Sequence, residues 1–413
     1  MLNKNIFIAV ILLISAAQLA VGQNNTNSPY TVFGFGELSE GEATELRGMG
    51  GVGIGNRSKN TINVLNPASH SSVDSLTFMF DVGAGTRYSR FSDNNSSSQT
   101  FNANLEYLTL RFPVSKWLGF SAGLLPYSFV GYNFYQSDSI QIPQSVGDPR
   151  KVGYIRSYNG SGGVSQLYGG LSVKFLNHIA LGVNTYYMFG DAKNDRSLVY
   201  SKNIFPSSHY KNSLKVSDVR FRYGLQLYNT FAEKHHVSLG VIYENKSQLK
   251  GTFTSQLNRD TTNLNKGFEL PQVIGAGINY TFDKKLTVGV DFLQQNWGDV
   301  LFFNKKDSLL NRTKIAVGAE YMINPSGRKL SDRLKYRVGF NTSNQYYKVD
   351  NQAQPNDFVV SFGVGIPTRT GKSWINTALE YGKIGTSTSL REDYLKFTLS
   401  ASIDEIWFFK PKL

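Results

Sequence analysis

The residues best suited to chemistry are gathered near the start of the chain, in the run Gly48-Met-Gly-Gly-Val-Gly-Ile-Gly55 and the four glutamates Glu37, Glu40, Glu42 and Glu45 just before it. Gly48, Gly50 and Gly53 satisfy the spacing G-x-G-x-x-G, which cradles a dinucleotide pyrophosphate only when a strand precedes it and a helix follows. The sequence offers neither element, so these glycines are expected to let backbone pack closely in a crowded space. Gly163-Val-Ser165-Gln-Leu167 lacks the second glycine of a nucleophile elbow, and no acyl-transfer serine is supported. His70, His178, His209, His235 and His236 have no partner at ligand spacing on a shared element. Asp93-Asn94-Asn95 followed by Ser96 to Ser98 is rich in oxygen but has no bidentate glutamate downstream, which makes it a polar loop before it makes a calcium loop. Catalysis needs a nucleophile with its base, or paired carboxylates in reach of each other, and the sequence presents neither. No enzyme, cofactor or metal site is expected.

What must position these residues is a long series of two-faced segments. Leu395, Phe397, Leu399, Ala401 and Ile403 alternate with Lys396, Thr398, Ser400 and Ser402. Strict alternation marks a strand with one face in an apolar medium and the other against water or polar protein. The pattern recurs with no helix-period stretch between copies, near 76–90, 101–113, 118–135, 158–175, 178–190, 215–232, 235–246, 268–282, 285–297, 311–323, 335–348, 356–367, 373–384 and 393–403. Fourteen such strands are expected to close into an all-β, antiparallel transmembrane β-barrel. Tight turns at Leu176-Asn177, Glu233-Lys234 and Asp283-Lys284 alternate with longer polar connections near 136–157, 191–214, 247–267, 298–310 and 349–355, as short periplasmic turns alternate with long outer loops. That alternation places both termini in the periplasm. Asn324 to Leu334 is long for a periplasmic turn.

Lys4 followed by the apolar run Ile6 to Leu19 and by Ala20-Val21-Gly22 has the layout of a signal peptide, so residues 1–22 are set aside from the fold. Residues 23–75 lack alternation and form a non-barrel segment, 76–403 the barrel, and 404–413 a C-terminal periplasmic tail. No cysteine is present, which removes disulfides and thiolate chemistry in an oxidising compartment. The net charge of +13 becomes +12 without Lys4 and suits an anionic lipopolysaccharide surface; nucleic acid is a poor partner for an exported chain.

Once the apolar phase of each strand is fixed, the other phase lines the lumen. The inward set contains Arg111, Lys174, Arg220, Arg222, Asp291, Lys314, Glu320, Arg337, Glu380 and Lys396, and is mostly basic. A lysine or arginine on the lipid face near the midplane costs roughly 2–4 kcal/mol, which enforces this phase. A positive interior follows, with Arg111, Arg220, Arg222, Lys314, Arg337 and Lys396 as its basic wall. The glutamates before Arg47 either pair with that wall or form a solvated run. Aromatics at strand ends (Trp117, Tyr127, Tyr132, Phe134, Trp297, Phe302, Phe303, Tyr346, Tyr347, Trp374, Trp407 to Phe409) are expected mainly as interface girdles, with a ligand groove as the alternative.

Several patches resemble the FadL family of outer-membrane transporters of long-chain fatty acids and other hydrophobic compounds. Arg47-Gly-Met-Gly-Gly-Val-Gly followed by Asn66-Pro67-Ala68 is similar to that family's N-terminal hatch signature. Phe120 to Leu124 running into Pro126-Tyr127 resembles its third-strand element. Leu270-Pro271, Gly275 to Tyr280, Asp291 and Trp297 resemble a later stretch, as do Gly318 to Tyr321 and Arg337 to Phe340. The resemblance implies fourteen strands and an N-terminal hatch in the lumen, with Gly48, Gly50, Gly51, Asn66, Pro67 and Ala68 as hatch residues. It also implies a lateral opening at Leu125, Pro126 and Tyr127, where a proline withdraws a ladder hydrogen bond. Two functions follow from it: passive uptake of a hydrophobic or amphipathic small molecule through a hatch-gated lateral route, or a non-transporting scaffold subunit of a secretion, barrel-assembly or surface-lipoprotein complex. The expected partners are accordingly outer-membrane lipid and lipopolysaccharide, a hydrophobic small-molecule ligand, and a periplasmic or outer-membrane protein. The tail after the last strand departs from the usual terminal aromatic and leaves room for such a protein.

Overall fold

The structure is a computed structural model that describes residues 26–406, apart from 94–95, 143–149, 202–204, 264–266, 307, 350–351, 369–370 and 387–389. The signal peptide expected over residues 1–22 and the aromatic end of the tail lie outside the described residues. Fourteen long antiparallel strands form the wall: β1 (Thr77–Ser92), β2 (Ser97–Pro113), β3 (Leu118–Ile142), β4 (Arg150–Phe175), β5 (Ile179–Tyr200), β6 (Ser208–Phe231), β7 (His235–Glu244), β8 (Val273–Phe282), β9 (Leu286–Gln295), β10 (Arg312–Met322), β11 (Lys335–Ser343), β12 (Asp357–Pro367), β13 (Trp374–Gly385) and β14 (Arg391–Ile406). Each pairs with its sequence neighbours, and β1 pairs with β14 from Thr77↔Ile406 to Ser92↔Arg391, which closes the sheet. The last strand therefore continues through residues first assigned to the tail. No helix among the described residues is long and apolar enough to cross a membrane.

The wall is apolar outside and polar inside. Leu167, Leu181, Phe221, Val241, Phe292, Val317, Phe340, Phe362 and Phe397 all stand exposed on the outer face. Ser121, Ser172, Asn184, Gln226, Asn376, Thr398 and Ser400 are buried on the inner one. An apolar belt of that extent on a closed sheet is a lipid-facing surface. At one end the connections are tight: Leu176 and Asn177, and Asp283 and Lys284, all take positive φ, the geometry of the hairpin turn whose twist suits the strands it joins. The turn expected at Glu233-Lys234 is centred one residue earlier, with Ala232 and Glu233 in the left-handed region. The long stretch 324–334 holds a one-turn helix, Leu330–Arg333.

At the other end the expected loops are largely strand. β3 to β6 run for 25, 26, 22 and 24 residues, where about 9–11 cross a bilayer, so they project well beyond it. The connection 247–267 contains a hairpin, Gly251–Leu257 with Asp260–Asn263, that adds to the edge of β6. These extensions escaped sequence reading because beyond the membrane both faces are polar and the alternation fades: Asn159, Ser157 and Ser197 continue the outward phase of Leu167.

Candidate functional site

Residues 26–75 run inside this wall. They begin at the long-loop end, where Tyr30 Oη donates to Leu390 O and Ser28 Oγ donates to Glu392 at 2.6 Å. They finish at the short-turn end, where Arg111 donates to Ser72 Oγ at 3.0 Å and to the carbonyls of Ser58 and Lys59. The first strand starts and the last strand ends at the short-turn end, but the first described residues of the chain sit at the opposite one.

The Gly-rich stretch passes the inner wall with no room for side chains. A Cβ at Gly339 would overlap Gly50 N, and one at Gly240 would overlap Ile54 O. Gly50 and Gly51 hold positive φ. Gly50 N donates to Ser361 Oγ at 2.9 Å, and the Gly53 and Ile54 amides both donate to Asp291 Oδ2, at 2.6 and 2.7 Å. The glycines of the dinucleotide-like spacing are packing glycines, as their sequence context suggested.

Asn66 explains why an Asn-Pro-Ala tripeptide stands where it does. Its Oδ1 accepts from Ala68 N at 3.1 Å and caps the 3-10 turn Pro67–Ser72, whose first position suits proline. Its Nδ2 donates to Ile54 O at 2.8 Å and to Leu225 O of β6 at 3.2 Å. One fully buried amide thus joins the turn, the Gly-rich stretch and the wall. Two residues past the tripeptide, His70 is also fully buried, with Nε2 2.9 Å from Asn184 Oδ1. Burial, aided by Arg111, pushes its pKa down to about 4 against the opposing bond to Asn184.

Ion pairs fasten the plug midway. Glu40 bonds Arg312 and Lys314, both at 2.8 Å, Glu42 bonds Lys314 at 2.9 Å, and Glu37 bonds Arg87 at 2.5 Å. Arg47 answers with Glu106 at 3.0 Å and Glu380 at 3.6 Å. Burial alone would raise the Glu40 carboxyl, but the two cations outweigh it and hold it well below the ordinary carboxylate range. Glu45 is instead raised by burial. Glu37, Glu40 and Glu42 are therefore paired and Glu45 is buried, so the stretch is not a solvated run, although Arg87 and Arg312 were absent from the expected basic wall.

The interior is not positive as expected. All six wall cations do point inward, but Arg220 and Arg222 bond Glu244, Arg337 bonds Glu320 at 2.7 Å, and Lys396 bonds Glu106 at 2.8 Å. Glu320 stood in the expected inward set, whereas Glu106 and Glu244 did not. Glu106 is the extra residue where the β1–β2 register shifts, which takes it off the phase of Arg111, while Glu244, the last residue of β7, keeps the inward phase of Ser238, Gly240 and Ile242. Spaces left in the lumen are small or charged. One of about 50 Å³ has apolar walls from Ile54, Leu65, Ile242 and Leu293 beside the charged Glu40 and Arg220, and one of about 180 Å³ is lined by Glu37, Arg47, Arg312 and Lys396. An apolar cavity of about 150 Å³ is what benzene occupies. The first space is too small for it, and the second has mostly polar walls.

The aromatic girdle expected at strand ends is mostly an internal cap. Tyr132, Trp297, Tyr346 and Tyr347 are buried in an apolar cluster with Tyr30 and Phe35 of the plug, and Tyr127, Phe134, Phe302 and Phe303 pack against it. Phe35 meets Trp297 at a tilt and Phe302 edge-on, with ring centroids 5.6 and 5.3 Å apart. Trp374 is buried too, and Trp117, at 54 % exposure, keeps an interface role. The cluster seals the long-loop end over the plug.

A seam interrupts the wall between β2 and β3. Their ladder runs only from Pro113↔Gly119 to Leu108↔Leu124. Immediately above it, β2 carries its bulge at Glu106 and β3 shifts register between Pro126 and Ser128. Two irregularities at one level make the strands diverge. Leu125, Pro126 and Tyr127 stand at the foot of this divergence, with Leu125 and Pro126 buried and Tyr127 half-buried. Toward the lumen the plug covers it: Glu37–Leu38 pairs with Phe129 and Ser128, Ser39 N donates to Tyr127 O at 2.9 Å, Thr31 exchanges bonds with Gly131, and Asn27 reaches Asn102.

Among the described residues no group of three or more His, Asp or Glu could hold a metal ion. Asp93 accepts from Ser96 N at 2.6 Å, which shapes the β1–β2 turn.

A family model described as BamG matches residues 1–413. The chain belongs to the BamG family. No match is found among curated proteins. Among solved structures, similar folds include a Pseudomonas aeruginosa FadL homologue (12 % identity, TM-score 0.56, covering 88 % of this chain and 98 % of that one) and the Ralstonia pickettii toluene transporter TbuX (14 %, 0.57, 88 % and 98 %). The Pseudomonas putida toluene transporter TodX is also similar (16 %, 0.57, 90 % and 98 %). This member of the BamG family is a divergent FadL-like barrel, closed by fourteen strands.

Proposed function

We propose that this outer-membrane barrel acts as a closed docking subunit of an outer-membrane protein assembly, with the plug serving as a structural core and not as a gate in routine use. The observation that carries this reading is the double closure of the lumen. Buried ion pairs fasten residues 37–47 to β1, β2, β10 and β13, and an aromatic cluster seals the long-loop end above them. A conduit needs a continuous path, and both parts of this one are filled by the chain itself. Membership of a family separate from the transporters, at 12–16 % identity to them, agrees with it. On this reading residues 1–22 are a cleaved export signal, the apolar belt meets lipid and lipopolysaccharide, and the periplasmic end offers a protein surface. The test is purification in mild detergent followed by planar-bilayer recording. A stoichiometric protein partner and no conductance are expected; a stable conductance from the unmodified barrel overturns the reading.

A second reading is passive uptake of a hydrophobic or amphipathic molecule, with the plug as a hatch and the seam as a lateral exit. The halted β2–β3 ladder beside Pro126 favours it, as do the solved relatives described as toluene transporters and monoaromatic hydrocarbon channels. Its mark is an apolar molecule bound in the purified protein and a growth defect on one apolar nutrient when the chain is deleted.

A further inference from the structure

The seam has two sides that differ. On its lumen side the plug supplies partners to the β3 backbone, through the strand Glu37–Leu38, through Ser39 N and through the Thr31 hydroxyl. On its membrane side the upper edge of β2, from Ser97 to Ala103, pairs with β1 but has no ladder partner toward β3 among the described residues. Its outward phase reads Gln99, Phe101, Ala103. Phe101 is 66 % exposed and sits in register with exposed Tyr88, itself in register with exposed Leu395, so the edge from Phe101 to Ala103 opens onto the apolar belt, and Gln99, in register with exposed Arg90, stands at its rim.

Hydrocarbon cannot hydrogen-bond, so a bare strand edge is disfavoured at membrane depth; barrels normally avoid it by closing. An acyl chain would cover the side chains and leave the amides and carbonyls unmet. An added strand would meet both. The opposite lip of the same seam is already satisfied in that way, by a strand from the plug.

We propose that the upper edge of β2 is a strand-acceptor site: it takes one extended segment of a partner membrane polypeptide, laid against Ser97 to Ala103 by main-chain hydrogen bonds. The segment presents alternate apolar side chains outward, in line with Phe101 and Ala103. Affinity comes from backbone bonds and orientation from that alternation. This rests on the docking reading above and names where the partner binds.

The test uses the full-length chain in its native membrane. A benzophenone amino acid replaces Ala103, and in a control protein Phe292, which is equally lipid-facing on the far wall. A discrete protein adduct at position 103 that maps to a segment of alternating polarity, with none at 292, is expected. Proline is then placed at Thr100 or at Phe101, since adjacent amides point to opposite edges and one of the two faces the seam. That proline should cut the adduct roughly fivefold, while Phe101→Ala leaves it within twofold, because only the proline removes a hydrogen bond. Heat-dependent gel mobility confirms in every variant that the barrel has folded. Lipid adducts alone at 103, an equal protein adduct at 292, or an adduct indifferent to both prolines overturns the proposal. If position 103 finds no protein while a partner still co-purifies with a non-conducting barrel, the docking reading stands and only this site is lost.

Discussion

Neutralising the plug's acidic latch should unseat it. In the double variant Glu40→Gln, Glu42→Gln, the Lys314 ammonium loses both carboxylates, now at 2.8 and 2.9 Å, and Arg312 keeps only Gln295 Oε1 at 3.4 Å. Lys314 is about one-tenth exposed, so solvent screens little of the change. Removing one partner of a buried pair costs about 3–5 kcal/mol, because a charge is left uncompensated. The glutamine amides still accept hydrogen bonds, which places the expected loss near 3 kcal/mol. At 1.4 kcal/mol per tenfold, the fraction of molecules with a displaced plug should rise by about two powers of ten. Reconstituted protein should then admit a small sugar into liposomes and show brief openings in planar bilayers, and trypsin should cut at Arg47 or Arg57. The charge-reversed pair Glu40→Lys, Glu42→Lys should exceed it, since Lys314 and Arg312 would face two more cations. A folded barrel that stays tight and protease-resistant in the reversed variant would falsify the latch.

Further outcomes follow from the same contacts. Acid should weaken the plug through His70 and not through Glu40. The His70 pKa is lowered from 6.5 to about 4, so its contribution is complete above pH 6.5 and is lost as pH falls toward 4, by about 3 kcal/mol at 1.36 per unit. Glu40 lies below its ordinary value and loses its contribution only at still lower pH. Amide protection factors in residues 57–72, which correct for the slower intrinsic exchange in acid, should fall between pH 6.5 and 4, and His70→Gln should remove that dependence. Asn66→Ala should cost about 2–3 kcal/mol locally, by stripping a cap and two carbonyl partners, seen as faster exchange at residues 53–70 with the barrel intact. Gly339→Ala should displace the Gly-rich stretch, because the new methyl meets Gly50 main chain that cannot yield; protection of Gly50 and Gly53 amides should fall while the gel mobility of the folded barrel is kept.

Sequence alone determined the number, order and facing of the strands. Each crossing of a bilayer forces a choice at every residue between hydrocarbon and lumen, and that choice writes period-two alternation directly into the chain. Where the force ended, legibility ended: β3 to β6 continue for several turns of pleat beyond the lipid with polar residues on both faces. The plug was visible as a region without alternation, and Asn66 to Ala68 as its sharpest mark, but the bonds from Asn66 to Ile54 and Leu225 join positions far apart in sequence. Tertiary structure decided the rest. It decided that the lumen is balanced, because Glu106 at a bulge falls outside simple phase and because only the folded wall sets Glu244 against Arg220 and Arg222. It decided that Trp297, Tyr346 and Tyr347 form a cap, because aromatic side chains at strand ends suit an interface and an interior equally. It decided that the β2–β3 wall parts above Leu124, because two bulges act only when closure of the cylinder sets them at the same height.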